Sequence, residues 1–386
     1  MKTAFYYHIP VYPNQGKLFI PSYLGVFIDS LASFTETLYI VLHEANSIQA
    51  LEADYSLKAG NIIWVNLGYT KPAWLRTFFP SLVLKNKISQ IEDCEAFIVR
   101  SPTPLAPHFH KYTSKPKIYF MVVGDYLEGA EHLKFGKFRD RIIFWYLKFF
   151  DGQFTRQIRK TEILVNSLGL FEKYENTAKS IQLIKTTTLS SNDFWEREDT
   201  CENTFIDILY TGRIDPAKGL FELVEAIAYI NKKYENLRLN IVGWENNPEK
   251  PVENSLKVLS NKLGIIDKVI FHGAKPVGPQ LFEMYRMADI YCIPSYHEGF
   301  PRTIWEAMAN SLPVIATSVG GIPKTLSNME NAILINPKSI IEITNSIIKL
   351  IEDKQLRKNL IKSGRQMAME NTLEKQNQII IDFISK

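Results

Sequence analysis

The stretch Ser295-Tyr296-His297-Glu298-Gly299-Phe300-Pro301-Arg302-Thr303-Ile304-Trp305-Glu306-Ala307-Met308-Ala309 decides how this chain is read. It follows the strand-like apolar run 289–293 and ends in the opening turns of a helix, with Pro301 suited to a first helical position. Glu298 then falls in the strand-to-helix loop, and Glu306 about a turn and a half inside the helix. Free amides around Gly299 and Phe300 lie between the two carboxylates. Carboxylates accept hydrogen bonds from sugar hydroxyls, while the amides and positive end of a helix attract phosphate. A ligand that is half polyol and half anion fits both, and a nucleotide sugar is such a ligand.

Outward from this stretch, other strand ends carry the residues an anion needs. After the run 207–210 comes Thr211-Gly212-Arg213-Ile214-Asp215-Pro216-Ala217-Lys218-Gly219. Gly212 permits close backbone approach, and Arg213 and Lys218 bring a fork of donors and a point charge to one loop. Alone, such a pair reads equally as solvated charge on a surface loop. Beside the two glutamates, it reads as the cations that meet a leaving diphosphate. Gly243 and Gly273 end two more apolar runs, where main-chain groups can wall a nucleobase. Gly320-Gly321, after the run 313–316, marks another close backbone approach or an ordinary turn.

Apolar runs alternate with helical patterns almost throughout, the signature of parallel α/β architecture. Strands are expected at 3–8, 38–42, 61–65, 96–99, 117–123 and 162–165, and again at 207–210, 237–242, 268–271, 289–293, 313–316 and 332–335. From residue 339 onward the pattern is helical. At 386 residues, two domains of roughly 150–200 residues are expected. The polar 186–193 segment and the charged Glu196-Arg197-Glu198-Asp199 set the expected divisions: residues 1–190, a linker at 191–204, and a second domain at 205–370.

Composition bounds the function. Hydrophobic content of 46% with 22% charged residues is that of a globular protein, and a net charge of +4 is too mild to argue for nucleic acid. No apolar run approaches the roughly 20 residues that span a bilayer. The first residues run straight into a strand without a signal-peptide pattern, so a cytoplasmic chain is expected. Cys94, Cys201 and Cys292 have no metal spacing, and Cys292 lies in an apolar strand where a buried thiol fits.

The order G-R-x4-K-G, I-V-G, H-G, P-S-x2-E-G-F-P-x4-E-A-M-A and P-V-I-A-T-x-V-G-G resembles the retaining family-4 glycosyltransferases of the GT-B fold, over about residues 206–335. The resemblance implies two Rossmann-like domains facing across a cleft. The second holds a nucleotide-diphosphate sugar such as a UDP-sugar, the first holds the acceptor, and the last helix (371–386) crosses back onto the first. It assigns Arg213 and Lys218 to the diphosphate, Glu306 to the ribose hydroxyls and Glu298 to the transferred sugar. It also implies metal-independent chemistry without a cofactor.

The first half departs from the family. The loop around Gly16 resembles its phosphate-facing glycine loop but has one glycine rather than a run. Where many relatives have His-Asp at a strand end, this chain has Gly124-Asp125, so Asp125 is the candidate catalytic group there, with His8 and His110 as alternatives across the cleft. Arg100, just after another strand, is also placed to line that cleft. The basic aromatic stretch 134–160 reads either as a helix lying on an anionic membrane or as a core helix with solvated ends. A membrane surface on the inner face of the cell suits a lipid-linked glycan acceptor. The competing functions are a GT-B epimerase or phosphorylase, a nucleotide-sugar-binding protein without transferase activity, and a dinucleotide oxidoreductase. The last is disfavoured because no G-x-G-x-x-G follows the first strand.

Overall fold

The computed structural model describes residues 1–125, 127 and 138–386. They form two compact units, Met1–Thr186 with Glu374–Lys386 and Thr187–Leu373. The strands of the first are β1 (Lys2–Tyr6), β2 (Tyr12–Asn14), β3 (Lys17–Ile20), β4 (Thr37–Glu44), β5 (Tyr55–Ser56), β6 (Ile62–Tyr69), β7 (Ala96–Ser101), β8 (Lys117–Val122), β9 (Glu162–Val165) and β10 (Ser180–Leu183). Those of the second are β11 (Ile206–Thr211), β12 (Leu237–Val242), β13 (Val269–Gly273), β14 (Ile290–Ile293), β15 (Val314–Thr317) and β16 (Ile333–Ile335). Each strand expected from an apolar run is present, with ends shifted by a few residues.

The first unit has a parallel sheet in the order β10-β9-β8-β7-β1-β4-β6, and the second one in the order β13-β12-β11-β14-β15-β16. Both are doubly wound. The strand order reverses at β1/β7 in the first and at β11/β14 in the second, and ligands of open α/β sheets bind at the carboxyl ends beside such reversals. Helices cover both faces, which is why the strands are continuous apolar runs rather than alternating ones. In β1, Ala4 and Tyr6 enter one core cluster and Phe5 the other. In the second unit the helix Leu220–Ile230 buries Leu220, Leu223, Val224, Ile227 and Ile230, a helical stripe against the sheet. The helix Leu373–Ile384 sends Ile380, Phe383 and Ile384 into the first unit's core, where the Tyr119 hydroxyl donates to the Ile384 carbonyl at 3.0 Å.

Two stretches take a definite form. The 191–204 stretch, expected as a linker, packs within the second unit. Arg197 donates to the carbonyls of Arg286, Ala288 and Ser311, closing the end of the helix Pro279–Met287, and Asp199 pairs with Arg357 at 2.8 Å. Arg197 and Asp199 look solvated in sequence because their partners lie 89 to 158 residues away. The loop around Gly16 is likewise a β-hairpin: Asn14 faces Lys17, and Gln15 and Gly16 both take positive φ, 47° and 74°. A two-residue primed turn requires that geometry, so the hairpin by itself accounts for the glycine.

Candidate active site

The loops after β11 and β14 meet at the strand reversal of the second unit. Beneath them, three strand ends are laced by backbone: Gly212 N–H donates to Val242 O at 2.9 Å, and Gly243 N–H to Gly273 O at 3.0 Å. A Cβ on Gly243 would stand 1.7 Å from Gly212 O, so only glycine allows this crossing. Asp215 caps the short turn Pro216–Lys218 by accepting from Ala217 N–H at 2.9 Å, which sets the origin of the Lys218 side chain. Tyr296 N–H then donates to Ala217 O at 2.8 Å, tying the second loop to the first.

These loops enclose a pocket of about 220 Å3. Of the residues expected at a donor site, Gly212, Arg213, Lys218, Glu298 and Pro301 line it. Lys218 Nζ lies 2.6 Å from Glu298 Oε1, with the two side chains 17% and 13% exposed. A cation and a carboxylate are thus held together on the pocket wall. Arg213 is freer, its side chain 46% exposed and its Nε 3.8 Å from Asp215. The Tyr210 hydroxyl donates to the Arg213 carbonyl at 2.8 Å; burial, then Tyr291 and Glu298 nearby, hold its pKa well above the ordinary range, so it remains a donor. The helix Arg302–Ala309 begins one residue later than expected, with Pro301 as its N-cap, and its first residues Arg302 and Thr303 line the same pocket. Trp244, half exposed, lines it too. Sequence reasoning missed Trp244 and Arg302; an aromatic directly after the strand-end Gly243 was the available signal for the first.

The other expected donor residues of this unit, Gly243, Gly273, Gly299, Phe300 and Glu306, do not line the pocket. Gly273 underpins Gly243, and Phe300 stacks on Trp305 with ring centroids 4.5 Å apart. Gly299 O accepts from Gly321 N–H at 2.6 Å. The close approach at Gly320-Gly321 is therefore to the loop that carries Glu298. Glu306 is 1% exposed, and its two oxygens accept from the hydroxyls of Thr188 at 2.5 Å and Tyr285 at 2.8 Å.

In the first unit, Asp125 is engaged on both oxygens, by Leu127 N–H at 2.9 Å and by Lys173 Nζ at 2.7 Å. Burial lowers the Lys173 pKa, but the bond to Asp125 and the neighbouring Tyr174 outweigh it and hold the ammonium above the ordinary lysine range. His110 packs edge-on against Phe120 with its Nε2 3.3 Å from Thr161 Oγ1, a structural place. His8 stands at the carboxyl end of β1, with its ring centroid 4.3 Å from that of Tyr7.

Residues 134–137 of the basic stretch lie outside the described residues. The rest forms the helix Phe138–Ile158, which buries Phe150, Phe154 and Ile158 but exposes Ile142, Trp145 and Phe149. It is therefore a core helix along one face only. Among the described residues no helix is long and apolar enough to cross a membrane.

A family model described as "Glycosyl transferases group 1" matches residues 191–367. A curated relative, D-inositol 3-phosphate glycosyltransferase of Corynebacterium efficiens, is 30% identical over 152 residues, covering 39% of this chain and 35% of its own. The chain thus matches only about a third of that relative's length. Solved structures match throughout. Sucrose-phosphate synthase from Thermosynechococcus elongatus is similar with a TM-score of 0.75 at 17% identity, covering 100% of this chain and 98% of its own. Anabaena Alr3699/HepE in complex with UDP is similar with a TM-score of 0.72 at 18% identity, each chain covered to 100%. Residues 191–367 thus match the group 1 glycosyl transferase model, in a chain whose fold is that of the GT-B structures.

Proposed function

We propose that this protein moves a sugar from a nucleotide-diphosphate sugar, a UDP-sugar first of all, to a hydroxyl of a glycan or lipid-linked glycan, with retention of anomeric configuration. The observation that carries this reading is the Lys218–Glu298 pair in the pocket at the β11/β14 reversal of a group 1 domain. UDP in the HepE complex supports the choice of nucleotide. The diphosphate takes Lys218, Arg213 and the first-turn amides of the helix Arg302–Ala309 as partners. Lys218 then leaves Glu298, whose carboxylate accepts from hydroxyls of the bound sugar. Trp244 offers an aromatic face to the base, and Glu306 reaches ribose hydroxyls by exchanging its bond from Thr188. As the bond from the anomeric carbon to the diphosphate oxygen breaks, the acceptor oxygen bonds to that carbon on the same face. Its proton passes to the departing diphosphate. The side-chain cations meet the developing charge, so we read the reaction as needing neither metal nor cofactor.

The test is release of UDP from a panel of UDP-sugars with excess EDTA present. Turnover should be unchanged by EDTA. Loss that manganese restores overturns the metal-independent reading. Donor binding without turnover would indicate a silent binding protein, and a requirement for inorganic phosphate a phosphorylase.

We further place the acceptor at an anionic membrane surface. The exposed positions of the helix Phe138–Ile158 include Arg139, Arg141, Ile142, Trp145, Lys148, Phe149 and Arg156, with no carboxylate among the described ones. Phe149 stacks on Phe78 at 6.5 Å, which extends the face to the helix Ala73–Phe78 with its exposed Trp74. Aromatics among cations suit the headgroup boundary, at roughly 1 kcal/mol per cation near the surface. The protein should bind anionic vesicles at low salt and leave them as salt rises, because screening shortens the attraction. A variant with Trp145→Ser and Phe149→Ser should lose vesicle binding at every salt concentration. Wild-type protein that ignores anionic vesicles at low salt rules the surface out.

A further inference from the structure

The carboxyl edge of the first sheet carries a second cluster, built from cations and imidazoles. Strands β7, β1, β4 and β6 are neighbours, and each brings one group to this edge. Arg100 comes from the end of β7, His8 from just past β1, and His43 from β4. Arg76 comes from the helix Ala73–Phe78 that follows β6. The cluster therefore straddles the β1/β7 reversal, the position in this sheet that corresponds to the nucleotide pocket in the other.

Arg76 is 8% exposed, and neither its Nε nor its Nη1 has a hydrogen-bond partner. A guanidinium stays charged in a protein, so burying one with donors unused works against folding. His43 is fully buried; its Nδ1 lies 3.2 Å from Gly68 O, and its Nε2 is unpartnered. His8 Nδ1 is unpartnered as well. The Arg100 guanidinium lies 4.7 Å from the Tyr7 ring centroid, beside His8. Burial first, and then Arg76 and Arg100, hold the His8 pKa down to about 4. Burial, partly offset by Gly68 and reinforced by Arg76, does the same to His43. Both imidazoles are thus neutral at physiological pH. Positive charge with unused donors stands next to neutral rings that hydrogen-bond hydroxyls.

We propose that this cluster is the acceptor subsite and that it takes an anionic sugar. Arg76 and Arg100 bind a compact oxyanion, carboxylate or phosphate, and His8 binds a neighbouring hydroxyl, with the buried His43 ring behind it. The proposal rests on the reading of the first unit as the acceptor side, but binding at this edge is measurable without any transfer. The guanidinium fork matches a planar or tetrahedral oxyanion with two parallel bonds, which employs the unused Nε and Nη1 donors of Arg76.

Thermal melting with added glucuronate, glucose 6-phosphate and glucose tests it, since a ligand of the folded state raises the melting temperature. Glucuronate or glucose 6-phosphate should raise it and neutral glucose should not; which anion acts tells a uronic acid from a sugar phosphate. Arg76→Leu should abolish the rise while increasing the melting temperature of the unliganded protein, because the uncompensated charge is gone. Arg100→Gln, at a less buried site, should weaken anion affinity at least tenfold and guards against a folding defect in the first variant. Lys218→Ala should keep the rise. No rise with either anion, or a rise that survives Arg76→Leu, overturns the proposal. A rise lost in Lys218→Ala and kept in Arg76→Leu puts the anion in the nucleotide pocket and overturns it too. Failure of the donor reading would show instead as missing UDP-sugar turnover with this anion response intact.

Discussion

Lys218→Ala is expected to lower kcat by about 100- to 1,000-fold, the loss of about 2.7–4 kcal/mol that follows removal of a donor aimed at developing charge. Lys218 stands 2.6 Å from Glu298, with both side chains mostly withdrawn from water. A charge in such a place is screened little, so its effect on a departing diphosphate is large. Arg213→Ala should follow in the same direction with a smaller loss, since its side chain is 46% exposed. Glu306→Ala should behave differently. In its proposed ribose role Glu306 acts alike in ground and transition states, so the variant mainly raises the donor KM. It also strips the acceptor from two buried hydroxyls, Thr188 and Tyr285, at about 1–3 kcal/mol of stability. Steady-state kinetics with melting curves separate the three variants. Unchanged kcat in folded Lys218→Ala protein would remove it from the reaction.

Gly320→Ala is expected to damage both stability and turnover although Gly320 bears no functional group. Its φ is +55°, and an added Cβ would stand 1.6 Å from Glu298 O. Left-handed backbone costs an alanine about 1–2 kcal/mol. Forcing an atom into packed surroundings costs about 1–3 kcal/mol more. The atom in the way belongs to Glu298, so any relief moves the carboxylate out of reach of Lys218 and of a bound sugar. Gly264→Ala is the control: φ is +70° there too, yet nothing lies within 4 Å of the added Cβ. It should cost some stability and leave kcat intact. Equal behaviour of the two variants would show that contact with the Glu298 loop is irrelevant.

The legible parts of the chain share one property: the force that sets them is local or repeats along the chain. Strands buried on both faces appear as apolar runs, so β1, β4, β7, β11, β12 and β14 are visible in sequence. β10 (Ser180–Leu183) is an edge strand of four residues, none of them fully buried, and the hairpin strands β2 and β3 are shorter or as short; neither leaves a pattern. Loops at strand ends are readable because parallel α/β topology gathers them at one edge of the sheet. Arg213, Lys218 and Glu298 stand on such loops and line one pocket.

What tertiary structure decided is pairing. Sequence places Lys218 and Glu298 on two loops 80 residues apart; only the β11–β14 adjacency brings them to 2.6 Å. Glu306 stands on the expected helix, but its burial against Thr188, 118 residues away, follows from how the 187–205 segment packs. The Gly320-Gly321 approach was legible, and its object, the backbone of Glu298 and Gly299, was not. The same holds for the cluster of Arg76, Arg100, His8 and His43, which four strands assemble from positions that look unrelated. Periodic burial can be read from one residue and its near neighbours. A contact between distant segments depends on strand order, which sequence encodes only through the packing of the whole unit.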